Sequence, residues 1–138
     1  MMPQAEPYPY LTRDPALGAV GFLPFLPITL TLGQSRVQVM GLLDCAATVN
    51  VLPFAVGTQL GADWNKQTVP IRLTGNLANE EARGLLLMAT VGKFPPVQLA
   101  FAWTKSIAVP VLLGEVNFFM EFDVYLSRAR LIFEVQPK

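Results

Sequence analysis

From Phe22 onward, the sequence consists of short apolar runs in which apolar and polar residues alternate. Residues 28–32 and 97–103 are clear examples, and each lies next to glycine or proline. Because residues i and i+2 share one face of a strand, this period of two predicts strands with one buried face. Only residues 53–60 and 115–122 have the apolar spacing of a short helix. Seven or more short strands with at most two short helices predict an all-β barrel or sandwich.

The length of 138 residues and the hydrophobic content of 52% predict one domain with room for a substantial core. Prolines are scattered among polar residues near the N-terminus, which is typical of a poorly structured segment. We therefore predict a flexible N-terminal arm over residues 1–20 and a single domain over residues 21–138.

Residues 15–34 carry no charge and are about as long as a membrane span. Prolines interrupt this stretch and its end alternates as a strand does, so we interpret it as an arm that leads into a strand. No basic region precedes a clean apolar core, as a signal peptide requires. We expect a cytoplasmic protein without membrane contact, and a membrane-associated N-terminus is the minor alternative.

Charged and titratable residues narrow the function classes. Lys+Arg and Asp+Glu both number 10, and no basic patch is visible in the sequence, which argues against a nucleic-acid partner. The absence of histidine removes Ser-His and Cys-His nucleophile pairs and histidine metal sites, and a single cysteine removes disulfides and CxxC motifs. We therefore expect no metal and no cofactor, and any hydrolysis has to use carboxylates.

The chain is unusually apolar for its size. Its mean hydropathy is +0.42 and only 14% of its residues are charged. Such a composition predicts that part of the apolar surface is covered in an oligomer interface or lines a ligand groove.

One carboxylate stands in a turn between two strand-like runs. Residues 37–43 are mostly apolar and end at Asp44, and the small residues Cys45, Ala46 and Ala47 follow before the next apolar run. Because burial disfavours the ionised form of a carboxylate, an isolated Asp at this place is a candidate functional residue. Asp is also a common turn residue, so an ordinary loop-tip Asp is the alternative.

A hairpin over residues 69–85 is predicted, with a long polar tip over residues 75–81. Residues 68–74 alternate as a strand does, Gly75-Asn76 breaks the pattern, and a return strand follows across residues 82–91. An ordinary exposed hairpin is the alternative to a functional loop here.

Two segments resemble the hallmark motifs of the retropepsin-like aspartic proteases. Leu42-Leu43-Asp44-Cys45-Ala46-Ala47-Thr48-Val49-Asn50-Val51-Leu52-Pro53 is similar to the active-site segment, in which an apolar pair precedes Asp-Thr/Ser-Gly-Ala and an apolar strand follows. Val111-Leu112-Leu113-Gly114 resembles the second motif, in which two apolar residues and Leu-Gly precede a short helix near the C-terminus. The resemblance covers the chain from Leu26 to Val135.

The resemblance implies a retropepsin-like closed β-barrel with one or two short helices that functions as a two-fold homodimer. It implies an aspartic endopeptidase in which Asp44 of each subunit belongs to a dyad that activates a water for hydrolysis of a peptide or protein substrate. It also assigns the active-site loop and the brace of the dimer to Cys45, Ala46 and Ala47.

Two further assignments follow from the same resemblance. The first is a substrate-binding flap, which the resemblance assigns to Thr74, Gly75, Asn76 and Leu77. The other is structural support beneath the catalytic loop, which falls on Leu113 and Gly114.

The pair Cys45-Ala46 stands where the family has Thr or Ser followed by Gly. A thiol is a weaker hydrogen-bonding group than a hydroxyl, and Ala46 adds a methyl group where the backbone approaches the dyad closely. This departure predicts reduced activity. It also keeps open a second interpretation, a catalytically impaired dimer that acts as a peptide-binding or assembly module. A third, an unrelated β-barrel that binds a small apolar ligand, rests only on the hydrophobic content.

Overall fold

The structure is a computed structural model and describes residues 4–138. Within this range the chain forms eleven strands, two short α-helices and three 3₁₀ segments. The strands are β1 (Glu6–Pro9), β2 (Leu11–Thr12), β3 (Phe22–Leu23), β4 (Phe25–Leu32), β5 (Ser35–Leu43), β6 (Asn50–Pro53), β7 (Ala82–Thr90), β8 (Val97–Thr104), β9 (Val111–Leu113), β10 (Phe122–Ser127) and β11 (Ile132–Pro137). The helices are α1 (Phe54–Gln59) and α2 (Phe118–Glu121), and the 3₁₀ segments are Pro15–Gly21, Trp64–Lys66 and Gly75–Leu77.

Six strands close into a barrel in the order β4-β5-β9-β6-β8-β7, and β7 pairs back onto β4. The hairpin between β4 and β5 turns at Gly33, whose φ of +59° is the left-handed conformation that glycine adopts at little cost. Two of the barrel's pairings are parallel, β5 with β9 and β6 with β8. The predicted all-β class and the closed barrel are therefore confirmed.

The core follows from the alternation along the barrel strands. In β4, Leu26, Ile28 and Leu30 point inward and are buried, as a period of two requires. From β8, Phe101 and Trp103 fill the space opposite. Each such side chain contributes about 1.5–3 kcal/mol by leaving water, so the inward face of these strands dominates the stability of the barrel.

The two α-helices begin and end where local sequence allows. Pro53 precedes α1 and Gly61, with a φ of +83°, ends the turn after it, as predicted. The predicted second helix over residues 115–122 is shorter in the structure and begins only at Phe118. The reason is that the carbonyl of Val116 accepts the N–H of Asn50 at 2.9 Å, whereas a helix from residue 115 would need it to accept from Met120.

A three-stranded sheet, β1-β11-β10, joins the two ends of the chain. Its N-terminal strand pairs in antiparallel fashion with β11, from Glu6 opposite Val135 to Pro9 opposite Ile132. Tyr8 stacks on the buried Phe133, with 5.5 Å between ring centroids. Two prolines are tolerated in β1 because it is an edge strand and needs no ladder bond on its outer side.

Part of the predicted N-terminal arm therefore has regular structure. Residues 6–9 lie in β1, residues 11–12 in β2 and residues 15–21 in a 3₁₀ segment, whereas residues 1–3 lie outside the described range. The prolines suggested irregular backbone, but the long-range pairing with β11 decides the conformation. The division of the chain at residue 20 stays a prediction.

The uncharged stretch over residues 15–34 folds as a 3₁₀ segment followed by β3 and β4. Across residues 4–138, we find no helix with both the length and the apolar character needed to cross a membrane.

Candidate active site

Asp44 lies where β5 ends and the chain turns toward β6. Its backbone N–H donates to the carbonyl of Leu113 at 3.0 Å, so the residue is attached to the end of the neighbouring strand β9. Its carboxylate Oδ1 accepts from the N–H of Ala46 at 3.1 Å, and its carbonyl accepts from Ala47 at 3.0 Å. These bonds close a tight turn and hold the carboxylate at its tip, half-buried.

The turn by itself does not distinguish Asp44 from other aspartates of the chain. The carboxylate of Asp14 accepts from Ala16 N–H at 3.1 Å, and that of Asp63 accepts from Asn65 N–H at 3.0 Å. Both are the local side-chain caps that Asp commonly makes in turns. The alternative of an ordinary turn residue therefore has to be judged by what surrounds each carboxylate.

Asp44 opens into a cavity of about 500 Å³ and is its one charged lining residue. The cavity brings together three stretches that are distant in sequence, residues 44–51, 73–77 and 108–112. Its lining is mostly apolar or small, and consists of Asp44, Ala46, Ala47, Thr48, Val49, Val51, Leu73, Thr74, Gly75, Asn76, Leu77, Ala108, Val109, Pro110 and Leu112. A cavity of this size with a single carboxylate at its edge is typical of a binding site.

Most of the residues predicted for the site meet in this cavity. The predicted flap residues Thr74, Gly75, Asn76 and Leu77 form the wall that faces the loop with Asp44, Ala46 and Ala47. Three predicted residues do not line it. Cys45 points to solvent, and Leu113 and Gly114 lie buried behind the loop.

The wall formed by residues 73–77 is not the predicted hairpin strand. The strand predicted over residues 68–74 is wrong, since this segment contacts β7 through one bridge, Pro70 opposite Arg83, flanked by two hydrogen bonds. Beyond it, Gly75 adopts a φ of +63° and the chain coils into a 3₁₀ turn. Val69 and Leu73 would share one face of a strand, yet Leu73 is buried while Val69 is 60% exposed, so the alternation does not set the burial of this segment.

The loop that carries Asp44 rests on residues 113–116. The N–H groups of Glu115 and Val116 donate to the carbonyls of Ala47 and Thr48 at 2.9 and 3.0 Å. Gly114 sits so close to the loop that an added Cβ would lie 2.5 Å from the carbonyl oxygen of Val49. The Leu-Gly motif therefore has a local reason, since only glycine fits at this approach.

A buried amide pair lies behind the loop and was not predicted as part of the site. Asn50 is fully buried in β6, and its Oδ1 accepts from the N–H of Gly114 at 2.8 Å. Its Nδ2 donates to Ala100 O at 2.9 Å and to Asn117 Oδ1 at 3.2 Å. The sequence did carry a signal for this pair, a polar Asn inside the apolar run of residues 49–52.

A second cavity of about 620 Å³ lies on the other side of Val49, which lines both. Its lining is mostly apolar and includes Gly84 and Leu86 from β7 and Ala102 from β8, beside the polar stretch of residues 66–68. Neither Asp44 nor any other carboxylate lines this cavity.

The two tryptophans of the chain, Trp64 and Trp103, are both buried. They meet edge to face at 5.2 Å between ring centroids, and Phe54 stacks on Trp103 at 5.4 Å. They belong to the core beneath α1 and line neither cavity.

A search of solved structures finds a crystal structure of a retropepsin-like aspartic protease from Rickettsia conorii. The two chains superpose with a TM-score of 0.61, and the match covers 95% of this chain and 99% of that chain at 15% identity. No protein-family model and no curated protein matches the sequence. A match of this extent at such low identity bears on the fold. The chain therefore has the fold of the retropepsin-like aspartic proteases, as its two motifs predicted.

Proposed function

We propose that this chain is an aspartic endopeptidase that works as a homodimer. In each dimer, Asp44 of one subunit and Asp44 of the partner subunit face one water molecule at the two-fold axis. One carboxylate is ionised and takes a proton from the water, and the other is protonated and polarises the carbonyl of the scissile peptide bond.

The need for a dimer follows from the chemistry. One carboxylate cannot act as base and acid in the same step, and Asp44 is the single carboxylate in the cavity. In a homodimer with a two-fold axis, the partner subunit supplies an identical second carboxylate. Two carboxylates close together cannot both ionise easily, so the pair retains one proton and titrates as a unit.

The observation that carries the proposal is the common cavity of Asp44 and residues 73–77 on a retropepsin-like barrel. An extended peptide between these two walls could add its backbone to the adjoining chain as a strand does. Its side chains would meet Val49, Val51 and Leu112, so contacts in this half of the site are mainly apolar.

A second candidate function, a peptide-binding module without strong catalysis, is favoured by one feature. Cys45-Ala46 replaces the hydroxyl residue and glycine of the family motif, and the Cys45 side chain is exposed where the partner subunit would lie in the proposed dimer. The substitutions Cys45→Thr and Ala46→Gly together test this feature. A large gain in cleavage identifies a weakened enzyme, and retained peptide binding without any gain identifies a module.

The decisive experiment compares Asp44→Asn with the matched control Asp63→Asn on a peptide library. Both substitutions remove the charge from an aspartate that caps a turn, but only Asp44 lines the cavity. We expect Asp44→Asn to abolish cleavage and Asp63→Asn to leave it nearly unchanged. Equal cleavage by wild type and Asp44→Asn would show that Asp44 is not catalytic.

A further inference from the structure

We propose that Asn50 is the positioning residue for Asp44, and that it acts through the peptide unit between Leu113 and Gly114. This inference rests on the proposed function, because it concerns how the reacting carboxylate is held. It goes beyond that function by assigning a role to a residue that does not line the cavity and was not among the predicted site residues.

The first step is the peptide unit itself. Its carbonyl, from Leu113, accepts the N–H of Asp44 at 3.0 Å, and its N–H, from Gly114, donates to Asn50 Oδ1 at 2.8 Å. Asp44 and Asn50 therefore hold opposite edges of one rigid plane. Without the Asn50 bond, the N–H edge of this plane has lost its partner, so the plane and the attached Asp44 are held less tightly.

The second step is that Asn50 itself is fixed. Both N–H groups of its amide donate, one to Ala100 in β8 and one to Asn117, and its oxygen accepts from Gly114. Asn117 Oδ1 also accepts from Ala100 N–H at 3.0 Å, and its Nδ2 donates to Gln98 O at 3.1 Å. A fully buried amide with these partners has one orientation, because any rotation leaves a buried polar group unpaired.

The third step is that these bonds lie within one subunit. The partners of Asn50 come from β8 and from residues 114–117, all of the same chain. The position of Asp44 is thus set before two subunits meet, and it does not require a hydroxyl at residue 45. This accounts for how a chain with Cys45-Ala46 can keep the Asp44 turn in a defined geometry.

The test replaces Asn50 by leucine, which has the same number of side-chain heavy atoms and no hydrogen-bonding group. The matched control is Thr104→Val, since Thr104 is also fully buried and its hydroxyl donates to Glu81 O at 2.9 Å, away from the Asp44 loop. Asn50→Leu removes three side-chain hydrogen bonds and Thr104→Val removes two, so both variants should melt at lower temperature than wild type. Only Asn50→Leu should lower kcat, by about 100-fold with KM changed less than about threefold, because misplacing a reacting group by about 1 Å costs that much.

Amide hydrogen exchange gives a readout that does not need catalysis. In Asn50→Leu we expect faster exchange at Asp44 as well as at Gly114, whereas Thr104→Val leaves both as in wild type. If wild type cleaves no peptide, the proposed protease function fails, but the exchange at Asp44 still decides whether Asn50 positions it.

The inference is overturned if Asp44 exchanges in Asn50→Leu as it does in the control, or if the two variants lose the same share of kcat. Should Asn50→Leu not fold, Asn117→Ala is the second variant, because it removes one of the groups that orient Asn50 at a half-buried position. Asn117→Ala should lower kcat by about 10-fold and make amide hydrogen exchange at Asp44 faster. An unchanged kcat and unchanged exchange in Asn117→Ala would equally contradict the inference.

Discussion

At the scale of single residues, Asp44 is distinguished by its surroundings and not by its own hydrogen bonds. Asp14 and Asp63 cap turns with nearly the same geometry but lie exposed, outside both cavities. What separates Asp44 is the support behind it, where Gly114 approaches the loop closely and Asn50 fixes the adjoining peptide unit. The motif Leu-Gly therefore has a structural reason that applies whether or not the chain is an active protease.

This close approach leads to a prediction for Gly114→Ala. The new methyl group would lie 2.5 Å from Val49 O and 2.8 Å from Ala47 O, which are backbone atoms that cannot turn aside. We expect the free energy of unfolding to fall by about 2 kcal/mol, measured by chemical denaturation. Gly84→Ala is the control, because its Cβ meets nothing nearer than 3.7 Å. A loss in Gly84→Ala as large as that in Gly114→Ala would contradict the steric explanation.

At the scale of elements, two stretches differ from what their local pattern predicted. Residues 6–9 contain two prolines yet form β1, since β11 offers a free edge and Glu6 accepts hydrogen bonds from Tyr8 and from Lys93 N–H. Residues 68–74 alternate as a strand does, yet they make only one bridge to β7. In both stretches, the availability of a partner strand decided the outcome.

The anchoring of β1 leads to a prediction for Tyr8→Phe. Burial raises the pKa of the Tyr8 hydroxyl well above its ordinary value, and the hydrogen bond to Glu6 and the charge of that carboxylate raise it further. At neutral pH, loss of the hydroxyl should cost about 1 kcal/mol of unfolding free energy.

The pH dependence of Tyr8 has a definite sign. Above about pH 10, the unfolded chain releases the tyrosine proton while the folded chain keeps it, so this contribution to stability declines as pH rises. In denaturation experiments, the difference in unfolding free energy between wild type and Tyr8→Phe should therefore become smaller above pH 10. Tyr125→Phe, at a side chain that is 59% exposed, is the control for removal of a tyrosine hydroxyl and should change the free energy of unfolding at neutral pH less than Tyr8→Phe does.

At the scale of the whole molecule, one barrel contains one Asp44 and therefore one half of the proposed dimer site. The apolar composition predicted surface that is covered in an oligomer or a ligand groove, and residues such as Val20, Tyr125 and Leu126 are indeed exposed in the single chain. The third interpretation, a barrel unrelated to aspartic proteases, loses its basis because the fold matches that of a retropepsin-like protein over 95% of the chain.

The proposed dimer leads to a mixing experiment. When Asp44→Asn chains are added to an equal amount of wild type and the subunits exchange, half of the wild-type chains pair with an inactive partner. We expect the activity to fall to about half, because each dimer needs two carboxylates. Adding Asp63→Asn chains, which retain Asp44, should increase activity instead. An activity that Asp44→Asn chains leave unchanged would mean that each chain acts alone.

The sequence alone determined which faces of the strands are buried and where the turns fall. The alternation in β4 and β8, the proline and glycine that bound α1, and the Asp44 and Leu-Gly motifs are all local features. A period of two follows from strand geometry in any partner arrangement, and glycine or proline limits the backbone at its own position. For this reason the fold class could be predicted, and the motifs placed seven of the predicted site residues in the lining of the cavity.

Only the tertiary structure decided which distant segments meet. It paired β1 with β11, and it left residues 68–74 with a single bridge instead of a full strand pairing. It also brought Asn50 into hydrogen bonds with Gly114 and Asn117 behind the Asp44 turn. Local patterns carry no information on these contacts, because their strength depends on atoms more than forty residues away in the chain and on the burial that surrounds them. The alternation marked the buried faces, but which partner each one meets was settled by the packing of the complete chain.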